Sequence, residues 1–350
     1  MYEHLKGKEY MEKQILKGIR QKNIRDFLGV IKREGKAERA RIAKEIGVSL
    51  MTAGKIADGL LDAGVLIEEK TPKDFVGRRA GALSFGSGHV VLVASFTPRG
   101  MTAVAFDSAL NVVERVTCEF NTELSDFMNC RTMFTAYRDL IVTHICEKVL
   151  YGLGIVVLGD YDSENDKPSD LGETSLASFS PLLGMEEAVG FCIEEIMGSP
   201  RAISNCYREK KSVLRLELCR GAVSGGILSS GELIGGGKKA DLGALRSFDG
   251  VTLATLSKNN DKSDAPRIIA EAIAPLCYAA SPELISIFIE DFGESDYEKT
   301  IKEELLKLNI NTDIEIESDL LSASRGVAER IIDNWFSEYW TKGFPNLRQE

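Results

Sequence analysis

The 350-residue chain has few of the residues that build disulfide frameworks, metal sites or membrane spans. Its seven cysteines include no C-x-x-C pair, and its three histidines are not spaced with cysteines or carboxylates as metal ligands are. The longest apolar runs, such as HVVLVASF, have the length of a strand, and the opening segment MYEHLKGKEYMEKQILKG is too charged for a signal peptide. These absences exclude a disulfide scaffold and predict reduced thiols, no metal, no membrane span and a cytoplasmic protein.

Charge divides the chain into two unequal parts. The whole sequence carries a formal charge of -10, but residues 1–80 hold 18 Lys and Arg against 12 Asp and Glu, whereas the remainder holds 25 against 41. Since 350 residues exceed one ordinary hydrophobic core, two or three compact units are expected. The asymmetry favours a small anion-binding module on an acidic body over its alternative, a charged helix pair that is merely solvated.

Residues 23–64 follow the pattern of three consecutive helices. The segment NIRDFLGVIKREG has apolar residues at helical spacing, and KAERARIAKEIG predicts a shorter helix that ends at Gly47. Ser49 then precedes SLMTAGKIADGLLDAG as the N-cap of the third helix. A short helix, a glycine turn and a capped helix predict a helix-turn-helix, whose last helix places its first turn against base edges.

The candidate DNA-contacting residues lie on the third helix and in the segment after it. Two strands are predicted around the polar loop TPKDFVG, in the segments VLIEEK and RRAGALSF, and this pattern is typical of a winged helix. The two arginines of the second segment are expected to contact phosphates or a minor groove. The first helical turn lacks Arg, Asn and Gln, so thymine methyl contacts and DNA shape are expected to carry more of the specificity. The alternative is a winged helix that serves only protein dimerisation. The candidate residues are Ser49, Leu50, Met51, Thr52, Lys55, Arg78 and Arg79.

The rest of the chain alternates strands and helices and predicts a two-lobed α/β body. HVVLVASF and LGIVVLG have the pattern of buried strands around the helical segment FMNCRTMFTAYRDLIVTHICEKVL. EEAVGFCIEEIMG then predicts a helix and PRAISNC a strand. A glycine-turn hairpin in SVLRLELCRGAVSGGILSSGEL, the helix PRIIAEAIAPLCYAAS, the strand ELISIFIED and the helix SASRGVAERIIDNWFSEYW complete the body.

This order of elements resembles the ROK family of repressors, open reading frames and sugar kinases. The resemblance depends on GVSLMTAGKIADGLLDAGVL and GRRAGALSF, which are similar to GLSxATVSRIVDELxxAGLV and the GRR or GRP turn of the repressor branch. It implies an α/β fold with a winged helix-turn-helix domain in residues 1–85. It also implies a two-lobed, actin-like (ribonuclease H-like) ATPase-fold body in residues 86–350, divided near residue 200, whose C-terminal helix returns to the first lobe.

The body departs from the motifs with which the family binds phosphate and sugar. In the segment GSPRAISNC, Cys206 stands at the family's catalytic Asp, and a thiol is a poor general base, so no catalytic residue and no cofactor are assigned. A redox-sensing role is the alternative for Cys206, and an inert buried thiol is the simpler expectation. Asn205, Cys206 and Asp241 remain as candidates for a ligand cleft. The replaced positions are Ser95, Pro98, Arg99, Cys206, Arg220, Ala222, Asp241, Ala244, Glu290 and Asp291.

The sequence and the resemblance together predict a DNA-binding transcriptional regulator, a repressor, with a non-catalytic body used for dimerisation and effector sensing. Its partners are predicted to be double-stranded DNA with a palindromic operator, a second copy of the chain in a homodimer or larger assembly, and a small-molecule effector for which a sugar derivative is one candidate class. Two alternatives remain open. One is an ATP-dependent sugar kinase with a DNA-binding appendage, and the other is a protein-interaction platform without a small ligand.

Overall fold

The computed structural model describes residues 18–20, 22–69, 81–165, 167–168, 190, 192–219, 221–234, 242–259, 261–290 and 296–342. Within these ranges the chain forms an amino-terminal unit, called the head, and a larger body with two five-stranded sheets. No helix of the described residues is long and apolar enough to span a bilayer.

The head is a three-helix unit with a small antiparallel sheet. Helix α1 covers 22–34 and is followed by β1 (Lys36–Glu38), α2 (Arg39–Ile46), α3 (Leu50–Asp62), β2 (Leu66–Glu69) and β3 (Ala82–Phe85). The sheet order is β1-β3-β2. Gly47 has a φ of 71°, a left-handed conformation that allows the sharp turn between α2 and α3. The predicted helix-turn-helix and the strands that flank the wing segment are therefore present. Lys36–Glu38, predicted as the start of the second helix, is instead strand β1, because its backbone pairs with β3.

The first lobe of the body is a sheet in the order β10-β7-β4-β5-β6. Its strands are β4 (His89–Thr97), β5 (Gly100–Phe106), β6 (Val112–Glu119), β7 (Val149–Val157) and β10 (Glu195–Gly198). Helix α4 (Asp126–Ile145) lies between β6 and β7 in the chain and packs on the sheet through buried residues such as Phe134 and Tyr137. A two-stranded pair, β8 (Tyr161–Asp162) and β9 (Lys167–Pro168), follows β7.

The second lobe repeats this arrangement with the strand order β13-β12-β11-β14-β15. Its strands are β11 (Ser212–Cys219), β12 (Ala222–Ser229), β13 (Glu232–Leu233), β14 (Leu284–Ile289) and β15 (Asp313–Glu317). In each lobe an antiparallel meander supplies three strands, and two further strands add in parallel at the side of the first. The helices of this lobe are α6 (Leu253–Lys258), α7 (Ala265–Ala280) and α8 (Tyr297–Lys307).

Two helical segments connect the lobes. Helix α5 (Ser199–Ala202) and a 3-10 helix (Ile203–Tyr207) lie between the sheets in the chain, and α9 (Leu321–Lys342) follows β15 and packs on β4 and β7 of the first lobe. A Cβ at Gly326 would lie 1.9 Å from the carbonyl oxygen of Ala202, so only glycine lets α9 approach α5 this closely. The end of the chain thereby fixes the segment that joins the lobes.

Two local predictions for the body are wrong. Glu195–Gly198, predicted as part of a helix, is strand β10, because its backbone pairs in parallel with the buried strand β7. PRAISNC, predicted as a strand, lies in α5 and the 3-10 helix, and Pro200 sits at the helix start, where its fixed φ and missing N–H are tolerated. Residues 186–189 and 191 of the first segment lie outside the described part of the chain.

A buried histidine marks the junction of head and body. His89 is 2% exposed, its ring stacks on Tyr151 at a centroid distance of 5.0 Å, and Trp335 packs against its edge. A Cβ at Gly64, in the head, would lie 3.6 Å from this ring. Neither ring nitrogen has a hydrogen-bond partner among the described residues, and burial lowers the pKa of His89 below its usual value.

We expect His89→Phe to reduce the acid sensitivity of folding. The unfolded chain takes up a proton at His89 near pH 6.5, whereas the folded chain takes it up only at a lower pH, so this group withdraws stability as the pH falls below about 6.5. Chemical unfolding of both proteins at pH 7.5 and 5.5 should show a smaller pH-dependent loss in the variant. An equal loss in the two proteins would contradict a neutral buried His89.

Candidate functional site

The first turn of α3 is held by a side-chain cap. The Ser49 hydroxyl oxygen accepts a hydrogen bond from the Thr52 backbone N–H at 3.1 Å, and the two hydroxyl oxygens lie 2.9 Å apart. This confirms Ser49 as the N-cap. The cap satisfies one of the free N–H groups of the helix start and therefore fixes where the residues after it project.

Helix α3 has a buried face and an outer face. Ala53, Ile56, Ala57 and Leu60 are buried in the core of the head. On the opposite side Leu50 is 61% exposed and Met51 73% exposed, and Lys55 is also exposed one turn later. The outer face therefore presents two apolar side chains at its start and a cation behind them.

Most arginines of the described head are engaged in ion pairs. Arg39 contacts Asp58 at 2.7 Å, and Arg41 contacts Glu34 at 2.7 Å. Lys44 on α2 and Lys55 on α3 form no ion pair with a described residue. These two lysines are the cations of the helix-turn-helix that are available to a phosphate. Arg78 and Arg79 lie outside the described residues, so their DNA contacts stay a prediction.

Hydrogen bonds to one buried carboxylate link the two lobes of the body. Glu217, 1% exposed on β11, accepts bonds at Oε2 from the Oγ of Ser199, in the connecting helix α5, at 2.7 Å and from the N–H of Gly159, in the first lobe, at 3.3 Å. Ser224 on β12 donates to the same oxygen at 2.6 Å. A second bond between the lobes joins Thr97 Oγ1, at the end of β4, to Glu290 Oε1 after β14 at 2.6 Å.

Glu217 is held in turn by a fully buried arginine. Arg215 donates from Nε to Glu217 Oε1 at 3.1 Å and from Nη1 to Ser286 Oγ at 2.8 Å, and its Nη2 lies 2.6 Å from Glu317 Oε1. Burial disfavours the charge on Arg215, but the carboxylates of Glu317 and Glu217 outweigh it and raise the pKa of the guanidinium. The interlobe surface therefore contains a network of buried and mutually paired charges.

Sequence reasoning missed this network, although the strand carried a signal. Arg215 and Glu217 are two residues apart in VLRLEL, an otherwise apolar strand buried on both faces. Two charges in such a strand are costly unless they are paired, so their presence indicates partners from neighbouring elements. Which elements supply the partners is set by the packing of the lobes and has no pattern in the sequence.

The replaced motif positions serve structural roles where they are described. Ser95 is buried in β4, and its hydroxyl donates to the Thr102 carbonyl at 3.0 Å. Arg99 pairs with Glu119 at 3.4 Å. Ala222 begins β12, and Ala244 lies in a 3-10 turn. Arg220, Asp241 and Asp291 lie outside the described residues.

Asn205 and Cys206 lie away from the interlobe cleft. Asn205 Nδ2 donates to the Gly326 carbonyl at 2.9 Å, and Cys206 Sγ contacts the Ser322 carbonyl at 3.1 Å. The residue that directly follows β10 at the lobe junction is Ser199, seven positions before Cys206. Cys206 is exposed at the wall of a cleft, where desolvation by the groups around its sulfur, followed by the carboxylates of Glu329 and Glu317, raises the pKa of the thiol. A raised pKa disfavours the thiolate, which is the form in which a cysteine acts as a base or a nucleophile.

Both residues line a separate cleft, of about 1380 Å³, between the head and the body. One wall comes from α1 and includes Ile24, Leu28 and Lys32, and the other comes from the 3-10 helix and α9. Arg25 of α1 reaches across to Asp333 of α9, with an Nη2 to Oδ2 distance of 2.6 Å. The head is thus connected to the helix that fixes the lobe junction. The use of Asn205, Cys206 and Asp241 in ligand binding stays a prediction.

The architecture is similar to that of solved structures of ROK proteins. A ROK family transcriptional regulator, a homologue of the E. coli MLC protein, superposes with a TM-score of 0.63 at 14% sequence identity, covering 91% of this chain and 98% of that one. The inorganic polyphosphate/ATP-glucomannokinase from Arthrobacter sp. strain KM superposes with a TM-score of 0.51 at 14% identity, covering 70% of this chain and 98% of the kinase. The sequence matches no protein-family model and no curated protein.

These similarities confirm the predicted resemblance at the level of the fold. The chain has the fold of ROK proteins, a winged helix-turn-helix followed by a two-lobed, actin-like α/β body. The share of the chain that is covered is larger for the regulator than for the kinase, because the match to the regulator extends beyond the body.

Proposed function

We propose that the protein is a DNA-binding transcriptional regulator of the ROK type that acts as a repressor. The observation that carries the proposal is the capped, outward-facing first turn of α3 in a winged helix-turn-helix. This geometry matches a recognition helix whose amino-terminal residues enter the major groove. The local excess of positive charge in residues 1–80 supports a polyanionic partner.

The body is proposed to be non-catalytic. Phosphoryl transfer depends on backbone N–H groups, metal and cations placed around the transferred phosphate. Here the Gly159 N–H at the lobe junction donates to Glu217. Glu290, which follows β14, places a second carboxylate beside Thr97 at the end of β4. Negative charge at both positions opposes a nucleotide phosphate. This supports a regulator over the kinase alternative.

Two heads are proposed to act together in a cytoplasmic homodimer. A single winged helix contacts few base pairs, so useful specificity requires two half-sites and a symmetric pair of heads. The body is the proposed source of the dimer interface. Its proposed ligand is a small-molecule effector, with a sugar derivative as one class.

Selection from a random duplex library tests this proposal. The full-length protein is incubated with the library, bound duplexes are amplified, and the cycle is repeated. We expect enrichment of an inverted repeat whose half-sites are separated by about one or more turns of the double helix. If no sequence is enriched after several cycles, the proposal of a sequence-specific regulator is wrong. If a single unrepeated half-site is enriched, the proposal of a homodimer is wrong.

Replacing Thr52 and Lys55 together by Ala should weaken binding to the selected sequence by about 10- to 100-fold, because both side chains project from the recognition helix. Thr300 and Lys299 provide a matched control, since they lie in the first turn of α8, behind the N-cap Asp296. Fluorescence anisotropy should show wild-type affinity for the Thr300→Ala Lys299→Ala variant. Equal affinities for all three proteins would show that the DNA does not contact Thr52 and Lys55 of α3.

A further inference from the structure

The tip of α3 exposes apolar surface where a DNA-binding helix meets its target. Leu50 and Met51 are adjacent in the chain and are 61% and 73% exposed, whereas the other apolar side chains of the helix are buried or, at Leu61, half-buried. Adjacent large apolar side chains on a surface indicate a contact with another molecule more often than a single one does. On a recognition helix, these two side chains would lie against the base edges of a duplex.

The hydrogen-bonding capacity of this turn is small. From Leu50 to Lys55 the helix contains no amide and no guanidinium side chain, and the Thr52 hydroxyl lies 2.9 Å from that of Ser49. A side chain at Gly54 would meet no atom within 4 Å, so the outer surface of α3 is open there and lets another molecule approach its backbone. Paired hydrogen bonds to guanine or adenine edges, which need Arg, Asn or Gln, are therefore not supplied by this turn.

One apolar group is available on base edges in the major groove, the 5-methyl group of thymine. We infer that Leu50 and Met51 select half-sites by contacting thymine methyl groups on neighbouring base pairs, while Lys55, one turn behind Met51, contacts a phosphate. This inference rests on the proposed function, because it assigns the specificity of the same recognition helix. The two apolar residues bury surface only against a base that carries the methyl group.

The test replaces thymine by deoxyuridine in the selected duplex, which removes the methyl group and leaves the base pair unchanged. Each thymine of one half-site and its symmetry mate are substituted together, and affinity is measured by anisotropy with the full-length protein. A buried methyl group contributes about 0.8 kcal/mol, which is about a fourfold change in affinity per contact and about 15-fold for a symmetric pair. We expect this loss at one or two neighbouring positions of each half-site.

The protein side of the test uses the Leu50→Ala Met51→Ala variant. It should bind the thymine and deoxyuridine duplexes with equal affinity, because the groups that distinguish them are gone. The matched control is Val112→Ala Val113→Ala, a pair of adjacent exposed apolar residues on β6 that should keep the wild-type preference for thymine. Deoxyuridine acts on the DNA alone, so the test does not depend on the folding of any variant.

The outcomes separate this inference from the proposed function. If the protein selects a sequence but binds it equally well with every thymine replaced, the inference of methyl recognition is wrong, and the proposed function as a DNA-binding regulator is retained. If no sequence is selected, both are overturned. If the Leu50→Ala Met51→Ala variant changes the oligomeric state and leaves DNA affinity unchanged, the apolar tip is a protein contact, and the inference is wrong.

Discussion

Replacing Arg215 by Met is expected to lower the free energy of unfolding by about 3–5 kcal/mol, the largest effect on stability that we predict. Met retains much of the side-chain volume but leaves the carboxylate of Glu217 buried without its cation, and it leaves Glu317 without its 2.6 Å contact. The loss therefore comes from uncompensated charge and not from a cavity. Chemical denaturation near neutral pH measures it.

An exposed arginine provides the matched control. Arg267 contacts Asp249 at 2.9 Å and also Asp264 and Glu271, but its side chain is 34% exposed and that of Asp249 48%. Solvent screens these pairs, so Arg267→Met should cost less than about 1 kcal/mol. Similar losses in the two variants would show that burial does not strengthen the Arg215 network.

The second large effect concerns phosphoryl transfer. We expect the purified wild-type protein, given ATP, magnesium and a panel of hexoses and amino sugars, to release ADP at a rate that does not depend on sugar. Catalysis of this reaction is mainly positioning and charge stabilisation, and the Gly159 N–H and both interlobe carboxylates are committed to contacts within the protein.

Cys206→Asp should not create sugar-dependent turnover either. A lost general base alone costs a factor of about 10²–10⁴, but the carboxylate would stand in the cleft between head and body, eight residues beyond the end of β10. Sustained sugar-dependent ADP release by the wild type would contradict a non-catalytic body. Turnover by the variant alone would show that the interlobe network opens to admit nucleotide.

The fold could be predicted where local patterns and tertiary packing agree. The cap at Ser49 and the turn at Gly47 are local features, so the sequence located the turn and the start of the third helix, whereas the second helix begins at Arg39, three residues later than predicted. Strand β10 was missed because Glu195–Gly198 is only four residues long and takes its conformation from pairing with β7. Short elements whose conformation depends on a distant partner have no period of their own.

In the candidate site, too, the local features could be predicted and the contacts between distant segments could not. Which residues of α3 face outward could be predicted from the sequence, because residues three or four positions apart lie on the same face of a helix. The assignment of Cys206 to the family's catalytic position assumed that PRAISNC is a strand, and the observed helices move that residue to another cleft. Glu217, Ser199 and Gly159 come from three separate segments, so only the packing of the lobes brings them together.

The most direct measurement of the central claim is the affinity of the full-length protein for its selected inverted repeat and for the same duplex with both half-sites scrambled. Anisotropy titrations at several salt concentrations should show binding to the repeat tighter by about 10³-fold or more. The affinity for both duplexes should fall steeply as salt rises, because phosphate contacts release counterions. Equal affinity for the two duplexes, or no binding to either, would contradict the claim that α3 is a recognition helix.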